Sequence, residues 1–346
     1  MKIMAAMSGG VDSSVAAALL KQQGHEVIGA TMELYGNTSP TSASEEARKV
    51  ADVLDIPHYV FDFRVIFSGT IIDNFCREYA KGRTPNPCVL CNRFIKFGLL
   101  REKARELGIK YLATGHYAGI LQREGRHVLV KGADSQKDQS YFLYRLTREQ
   151  LEHTLFPLAS MTKEEVKKLA EEMSLPTAHR PESQEICFVP EEDYASFVEG
   201  YLDTIALPGP ILDRSGKEIG QHHGITHYTI GQRRGLGIAS AEPLYVTSID
   251  TDHNAITVGG KGDIYSSDLI AENLNWITPA PSERVKVRAK IRYRAPEAEA
   301  VITPINENKV QVNFNTPQIA VTPGQSVVFY DGDTVMGGGI ISGKGR

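Results

Sequence analysis

A glycine-rich turn near the beginning of the chain has the composition of a phosphate-binding site. Ser8-Gly9-Gly10-Val11-Asp12-Ser13-Ser14 stands between a short apolar run and a helical pattern, which predicts a strand-to-helix turn. Two glycines let successive backbone N–H groups face one point, where the following helix adds the positive end of its dipole. A loop of the Gly-Lys-Ser/Thr type is disfavoured, because no lysine follows until Lys21. The simpler alternative is a turn in which Asp12 or Ser13 caps the helix.

Three of the cysteines have a spacing that is compatible with chemistry at sulfur. Cys88 and Cys91 form a Cys-x-x-Cys motif after a stretch that two prolines hold extended, and Cys187 lies far downstream. We expect Cys91 to lie at a helix N-terminus, where the helix dipole and nearby Arg93 and Lys96 would lower the pKa of its thiol. A thiolate nucleophile would then be present at neutral pH.

Two other interpretations of the cysteines stay open. Cys-x-x-Cys is half of a zinc site, which Cys187 and one of His222, His223 or His227 would complete. A cysteine also often serves as a small buried apolar residue, and Cys76 fits this role because it falls on the apolar face of a predicted helix.

The composition is that of an ordinary globular protein with more than one domain. The chain has 346 residues, a formal net charge of -4 and 41% hydrophobic residues, which excludes a disordered or fibrous class. The negative net charge argues against a protein that binds nucleic acid non-specifically over much of its surface. It is compatible with a local basic patch. Neither a secretory signal nor a membrane-spanning apolar run is found, so we expect a cytoplasmic protein with reduced cysteines.

The first part of the chain has the pattern of an α/β domain. Strand-like runs at residues 3–7, 27–32, 58–63 and 111–114 alternate with helical patterns, which predicts a parallel sheet wrapped by helices. Ligands bind beyond the carboxyl ends of such strands, where the glycine-rich turn and Gly115-His116 both lie. We therefore expect the active site at this edge.

The remainder is predicted to be mainly β, because glycines, prolines and short alternating strands replace the helical period from Leu207 onward. We expect an α/β domain at residues 1–200, a small β-rich domain at 201–272 and a C-terminal β-barrel at 273–346. In the barrel, basic residues recur at every second position, which would place them on one strand face towards an RNA backbone. These residues are Arg284, Lys286, Arg288, Lys290, Arg292 and Arg294.

Several unrelated segments together resemble the bacterial tRNA-specific 2-thiouridylase family of the PP-loop ATP pyrophosphatase superfamily. The resemblance runs through nearly the whole chain and rests on residues 7–14 (MSGGVDSS), 82–87 (GRTPNP), 91–92 (CN), 113–118 (ATGHYA), 137–143 (KDQSYFL), 186–188 (ICF) and 228–237 (YTIGQRRGLG). It implies a PP-loop nucleotide-binding domain followed by two β domains that bind tRNA. It also implies that ATP adenylates the C2 oxygen of the wobble uridine, which sulfur then replaces.

The resemblance further implies the nucleotide site. ATP would lie on the glycine-rich turn, with Met32 against the adenine and Gly115 nearby, and Asp12 would help to place Mg²⁺. The residues implied in nucleotide binding are Ala6, Met7, Ser8, Gly9, Gly10, Val11, Asp12, Ser13, Met32 and Gly115.

The sulfur chemistry implied by the resemblance uses two of the cysteines. Cys187 would carry a persulfide received from a sulfur-relay protein or a cysteine desulfurase, and Cys91 would be the nucleophile, leaving a Cys91–Cys187 disulfide for a reductant. Cys88 is a departure, because many family members carry aspartate there. Cys88, Cys91 and Cys187 would also suit a [4Fe–4S] cluster that binds hydrosulfide at an open iron. The cluster and the simple replacement of aspartate both stay open.

The tRNA contacts are likewise implied by resemblance. Asn86, Pro87 and Cys88 would surround the target base, which we expect to be splayed out of the anticodon. Further tRNA contacts are implied for His116, Lys137, Asp138, Gln139, Arg292, Tyr293 and Gln325. Without the resemblance, a structural histidine at 116 and a helix cap at 137–139 would be preferred.

The implied substrates are tRNAs with a wobble uridine in anticodons of the Lys, Glu and Gln type. Two other functions remain: a different AMP-forming PP-loop ligase, and a non-catalytic RNA-binding protein with a structural metal.

Overall fold

The computed structural model describes residues 1–36, 43–181, 186–189 and 193–345. In chain order, the strands of its N-terminal part are β1 (Lys2–Ala6), β2 (Glu26–Glu33), β3 (His58–Asp62), β4 (Tyr111–Ala113), β5 (Ala118–Arg123), β6 (Arg126–Lys131) and β7 (Thr154–Leu155). Five of them form a parallel sheet in the order β3-β2-β1-β4-β7. The four strands predicted from the sequence all belong to it, so the predicted parallel sheet is confirmed.

The helices described in the structure accompany this sheet. They are α1 (Val11–Gln22), α2 (Ala43–Val53), α3 (Arg64–Phe67), α4 (Asp73–Ala80), α5 (Pro87–Leu90), α6 (Leu100–Glu106), α7 (Ser140–Leu143), α8 (Arg148–Glu152), α9 (Lys163–Glu172) and α10 (Tyr194–Leu202). α1 packs against β1, β2 and α9. Its alanines at 16, 17 and 18 are all buried, because small side chains let the helix approach its neighbours closely.

Two π-helical segments interrupt these helices. Ser68–Ile72 joins α3 to α4, and Cys91–Leu99 joins α5 to α6. π-helical turns are rare and often occur at functional sites. The second segment begins at a cysteine predicted to be catalytic.

The chain then forms a small four-stranded sheet. Its strands are β8 (Gly209–Leu212), β9 (Glu218–His222), β10 (Tyr245–Asp250) and β11 (Ala255–Gly259), in the order β10-β11-β8-β9. Alternate residues such as Ile211, Val246 and Ile256 are fully buried and form its core, as the period of a strand requires. The predicted β-rich middle region is therefore confirmed.

The C-terminal part is a closed barrel. Its strands are β12 (Tyr265–Trp276), β13 (Val285–Lys290), β14 (Ala298–Asn306), β15 (Lys309–Ile319), β16 (Ser326–Asp331) and β17 (Thr334–Gly343). They follow the order β12-β15-β14-β13-β16-β17, and pairing of β12 with β17 closes the ring. Alternate residues of each strand, such as Val310, Val312 and Phe314, fill the interior. The predicted barrel is confirmed.

The hairpin β5–β6 connects the N-terminal domain to this barrel, which the sequence did not indicate. Val130 on β6 pairs with Thr334 on β17, so the hairpin extends the barrel sheet. The guanidinium of Arg123 donates to Oγ1 of Thr334 at 2.7 Å, and Nζ of Lys131 lies 2.8 Å from the Glu297 carboxylate. The two domains thus share backbone and side-chain contacts.

The row of six basic residues predicted for one strand is wrong in part. β13 ends at Lys290, and the amide of Ala295 donates to the carbonyl of Arg292 in the turn that follows. Arg292 and Arg294 therefore lie in this turn, because the chain must reverse there to form β14. Arg284 precedes β13, which begins at Val285, so Lys286, Arg288 and Lys290 are the members of the row that lie on the strand. Within the part of the chain that the structure describes, no helix is long and apolar enough to cross a membrane.

Candidate active site

The glycine-rich turn follows the carboxyl end of β1 and is braced by its own serines. The amide of Ser8 donates to Oγ of Ser13 at 3.1 Å, and Oγ of Ser13 donates to the carbonyl of Gly10 at 3.0 Å. Gly9 has φ +71°, and a Cβ there would lie 2.8 Å from the Ala43 carbonyl oxygen. Gly10 is the N-cap of α1 and no side chain caps it, so Asp12 and Ser13 do not act as the predicted simple cap.

Asp12 instead faces two residues from distant parts of the chain. Its Oδ1 accepts a hydrogen bond from the Tyr117 hydroxyl at 2.8 Å and pairs with Nζ of Lys163 at 2.6 Å. Lys163 is 6% exposed, and it is the first residue of α9. The turn that lacks a lysine of its own therefore receives one from α9.

Sequence reasoning missed Lys163 and Tyr117. A local signal did exist for the start of α9, because Thr162 and Glu165 form a capping box with reciprocal hydrogen bonds. It places a lysine at a helix start but does not show which side chain that lysine meets. A second missed cation is Arg180, whose Nη1 donates to the carbonyl of Gly9 at 2.7 Å.

The other predicted nucleotide residues lie beside this turn. Gly115 follows β4, and a Cβ there would lie 2.7 Å from the backbone of Asp12 and Ser13. Only glycine therefore allows this approach. Ala6 ends β1, and Met32 lies half-buried near the end of the adjacent β2.

The three predicted sulfur residues share one environment. Cys91 is 8% exposed at the start of the π-helical segment, whereas Cys88 and Cys187 are exposed residues. Burial raises the pKa of the Cys91 thiol to about 12, against the opposing effect of Lys96 and with smaller raising effects of Cys88 and Cys187. Partial loss of water also raises the pKa of the Cys88 and Cys187 thiols.

The expectation of a low pKa for Cys91 is wrong for this structure. A helix N-terminus, Arg93 and Lys96 were expected to stabilise a thiolate. The helix begins instead at Pro87, one turn before Cys91, and removal of water from the sulfur outweighs the opposing effect of Lys96. All four cysteines are free thiols. Cys76 is fully buried in the apolar core, as expected for a packing residue.

The zinc interpretation finds no support among the residues that the structure describes, since they contain no group of three or more potential metal ligands. Two of the histidines proposed as ligands have other partners. Nε2 of His222 binds the Asn254 carbonyl at 2.9 Å, and Nε2 of His227 binds Oε1 of Glu199 at 2.9 Å.

The segment before Cys88 is held by both β domains. The amide of Thr84 donates to the Pro323 carbonyl at 2.9 Å, and Nε2 of Gln325 donates to the Thr84 carbonyl at 2.9 Å. From the middle domain, Thr229 lies 3.4 Å from Thr84 between side-chain oxygens. Both β domains thus hold Thr84, which lies two residues before Asn86.

Several predicted tRNA residues converge on this segment. Tyr141 bonds to the side chain of Asn86 and donates to the Ser326 carbonyl at 2.9 Å. The ring of Tyr293 packs on Phe142 with centroids 4.4 Å apart. Arg292 is an electrostatic neighbour of Tyr141 and donates to the carbonyl of Ile319 at 3.2 Å.

The remaining predicted tRNA residues have internal partners. His116 is 9% exposed, its Nδ1 lies 2.7 Å from Oγ1 of Thr114, and burial lowers its pKa well below the ordinary value. Asp138 is buried and accepts from the amides of Gly132 and Ser140, and Oε1 of Gln139 accepts from the amide of Tyr117 at 3.0 Å. Lys137 is half-buried in the same turn. Contact of these residues with tRNA stays a prediction.

Comparison with known proteins agrees with this architecture. Residues 1–191 match the family described as tRNA methyl transferase HUP domain, residues 195–260 its PRC-barrel domain, and residues 266–341 an aminomethyltransferase beta-barrel domain. The tRNA-specific 2-thiouridylase MnmA 2 of Thermoanaerobacter sp. (strain X514) is 53% identical over 99% of this chain and 98% of its own length. The chain belongs to the tRNA-specific 2-thiouridylase family. Another member, from Acetivibrio thermocellus, is 51% identical over 98% of this chain and 99% of its own length.

Likeness of this 2-thiouridylase family member to solved structures is weaker. A U34-tRNA thiolase NcsA from Methanococcus maripaludis with its [4Fe-4S] cluster is 21% identical, with a TM-score of 0.38 over 59% of this chain and 63% of that chain. A 4-thiouridine synthetase in an RNA complex with bound ATP is 16% identical, with a TM-score of 0.38 over 58% of this chain and 50% of that chain. Such likeness carries no inference about the chemistry of this chain.

Proposed function

We infer that the chain is an ATP-dependent tRNA 2-thiouridylase that replaces the C2 oxygen of the wobble uridine by sulfur. One observation carries this proposal: the glycine-rich turn and the π-helical segment that carries Cys91 are neighbours. Gly115 touches the backbone of Asp12, and the next residue, His116, packs on Phe97 with ring centroids 5.9 Å apart. Phe97 belongs to the π-helical segment that begins at Cys91. The turn and the segment that carries Cys91 are therefore packed together through Gly115, His116 and Phe97, and we propose that a base adenylated at the turn reaches the sulfur from there.

The nucleotide half supplies a leaving group. Oxygen on C2 of uracil is a poor leaving group, whereas AMP departs readily once this oxygen has attacked the α-phosphorus of ATP and pyrophosphate has left. The backbone of the turn would hold the phosphates, and Lys163 and Arg180 would oppose their charge. In the described part of the chain, both donors to Asp12 bind Oδ1, which leaves Oδ2 for Mg²⁺. Mg²⁺ would neutralise charge on the phosphates when bound.

The sulfur half divides the substitution into two displacements. The terminal sulfur of a Cys187 persulfide attacks C2, a C–S bond forms, and AMP leaves with the electron pair of the C2–O bond. The Cys91 thiol, which burial keeps protonated at rest, then loses its proton to water and attacks Sγ of Cys187 as the thiolate. A Cys91–Cys187 disulfide forms, and the bond between Sγ of Cys187 and the transferred sulfur breaks. The electron pair of that bond stays on the sulfur bound to C2. A dithiol reductant restores both thiols, and a sulfur-relay protein or cysteine desulfurase supplies the next persulfide.

A [4Fe–4S] cluster would need three thiolates directed at one point. The structure brings Cys88, Cys91 and Cys187 within electrostatic reach of one another. They are not gathered as a metal site in the described structure, which holds no group of three potential ligands. These residues as arranged do not fit a cluster, so the sulfur path uses thiols alone.

Substrate recognition would use the surface where the three domains meet. Thr84, just before residues 86–88, is held there by Gln325 and Thr229, and Tyr293 packs on Phe142 nearby. A wobble uridine inserted at this point would meet both the nucleotide turn and Cys91. We propose that tRNAs with Lys, Glu and Gln type anticodons are the substrates.

The test is nucleoside analysis of tRNA incubated with ATP, a reductant and a persulfide donor. We expect Cys91→Ala and Cys187→Ala to bind ATP normally but to form no 2-thiouridine. Cys76→Ala is the matched control, because Cys76 is fully buried and has no part in the proposed sulfur path, and this variant should remain active. Full thiolation by either active-site variant would contradict the sulfur path, and failure of the wild-type protein to consume ATP would contradict the function.

A further inference from the structure

The π-helical segment Cys91–Leu99 changes which side chains lie beside Cys91. In an α-helix each residue turns by about 100°, so residues five apart lie about 140° from each other around the axis. A π-helix instead bonds residues five apart, and Leu100 donates its amide to the carbonyl of Ile95 in this way. This geometry brings Lys96 to the side of the helix where Cys91 lies.

The π-helical geometry is held by contacts from outside the segment. Nε2 of Gln150 donates to the carbonyl of Arg93 at 2.9 Å and to the carbonyl of Phe97 at 2.8 Å. Gly98 also contributes, because a Cβ at this position would lie 3.1 Å from the carbonyl oxygen of Arg93. Gln150 is itself fixed by a capping box with Thr147 at the start of α8. The position of Lys96 is therefore determined by tertiary structure.

Lys96 faces the three thiols of the sulfur path. It is half-buried, and it is an electrostatic neighbour of Cys88, Cys91 and Cys187, as well as of the neutral imidazole of His116. Within the described part of the chain, no carboxylate forms an ion pair with Lys96. This cation is therefore available to an anion that forms beside it.

We propose that Lys96 is a positioning residue that holds the sulfur anion in transit between Cys187, Cys91 and the tRNA base. The inference rests on the proposed function, in which the terminal persulfide sulfur and the attacking Cys91 are both anions. A fixed cation aimed at charge that develops during reaction needs little reorganisation at that moment. Lysine suits this role because its compact ammonium can follow a moving sulfur, whereas a planar guanidinium favours carboxylate and phosphate.

The first test measures local charge without requiring tRNA thiolation. Cys91 and Cys187 are alkylated at one pH by anionic iodoacetate and by neutral iodoacetamide, and the rates are resolved by peptide mass spectrometry. Both reagents react with the thiolate, so the fraction of cysteine present as thiolate cancels in the ratio of the two rates. Lys96→Met should lower the iodoacetate preference about fivefold to tenfold, because one nearby positive charge is lost. Lys96→Arg should restore most of it.

Lys103→Met is the matched control. Lys103 lies further along the same continuous helix, where it pairs with Glu106 at 2.8 Å. Its substitution therefore removes one positive charge at a position distant from the thiols. Its reagent ratio should equal that of the wild-type protein. Gln150→Leu keeps every charge but removes both hydrogen bonds from Gln150 to the π-helical segment. Its reagent ratio should fall between those of the wild-type protein and Lys96→Met. An unchanged ratio in Lys96→Met or in Gln150→Leu would overturn the proposed placement of the cation.

The second test follows thiolation kinetics in the complete reaction. Lys96→Met should lower kcat about a hundredfold while leaving the KM values for ATP and tRNA within about twofold, because the cation acts only on the sulfur in transit. A rise of the KM for tRNA as large as the expected fall in kcat would identify Lys96 as a tRNA-binding residue and overturn the proposal. Absence of thiolation by the wild-type protein would instead refute the proposed function, and the alkylation ratio would still test the position of Lys96.

Discussion

The pair of Asp12 and Lys163 gives the sharpest test of the nucleotide site. Lys163→Met keeps most of the side-chain length and removes the charge that lies 2.6 Å from Oδ1 of Asp12. The Lys163 side chain is only 8% exposed and that of Asp12 is 34% exposed, so the carboxylate keeps some water and also keeps its hydrogen bond from Tyr117. The pair is therefore buried on one side only.

This geometry sets the magnitude of the effect. Loss of one partner of a fully buried ion pair costs about 3–5 kcal/mol, and the access of Asp12 to water reduces our expectation to about 2 kcal/mol. The variant should also bind ATP at least tenfold more weakly, because a hydrogen bond to a charged group contributes about 1.5–3 kcal/mol. Both changes have the same cause, since the lysine faces the turn that would hold the phosphates.

Urea unfolding with and without ATP, together with the KM for ATP in a pyrophosphate-release assay, measures both effects. Lys168→Met is the control on the same helix. Its side chain is 77% exposed and lies 3.5 Å from Glu172, so its loss should cost about 0.3 kcal/mol and leave the KM unchanged. Equal unfolding midpoints and equal KM values for the two variants would refute the assignment of Lys163 to the nucleotide site.

Three further predictions concern the thiols and the segment that holds the target base. Cys88→Asp should retain thiolation within about fivefold, since it introduces the aspartate that the family resemblance implies at this position; complete loss in nucleoside analysis would show that the Cys88 thiol is required. Burial raises the pKa of the Cys76 thiol to about 12, so the folded state keeps a proton that the unfolded state loses above pH 9. Relative to Cys76→Ala, the wild-type protein should lose about 1.4 kcal/mol of stability per pH unit from about pH 9 to about pH 12, and parallel stability profiles would contradict this. Gln325→Leu removes the 2.9 Å hydrogen bond to the Thr84 carbonyl and should raise the KM for tRNA severalfold without changing ATP binding, which steady-state kinetics can check.

Local patterns gave the correct class for each part of the chain. The glycine-rich turn, the four strands of the parallel sheet and the β-rich remainder could be predicted because each depends on residues close in sequence. The predicted row of basic residues extended past both ends of β13, and beyond Lys290 the need to form the next hairpin overrode the alternation. Cysteine spacing indicated thiol chemistry and the family resemblance implied sulfur transfer, but neither predicted the electrostatics, because the pKa of Cys91 depends on burial by distant residues.

The sequence alone determined which groups are available: a phosphate-binding turn, an adjacent carboxylate, and the cysteines at 88, 91 and 187. Tertiary structure decided how they are combined. It brought Lys163 to Asp12 from α9, joined the β5–β6 hairpin to the barrel, and turned Lys96 towards Cys91 through a π-helical segment held by Gln150. Periodicity and turn chemistry act over a few residues, whereas charge, burial and side-chain proximity arise only when separate segments pack together.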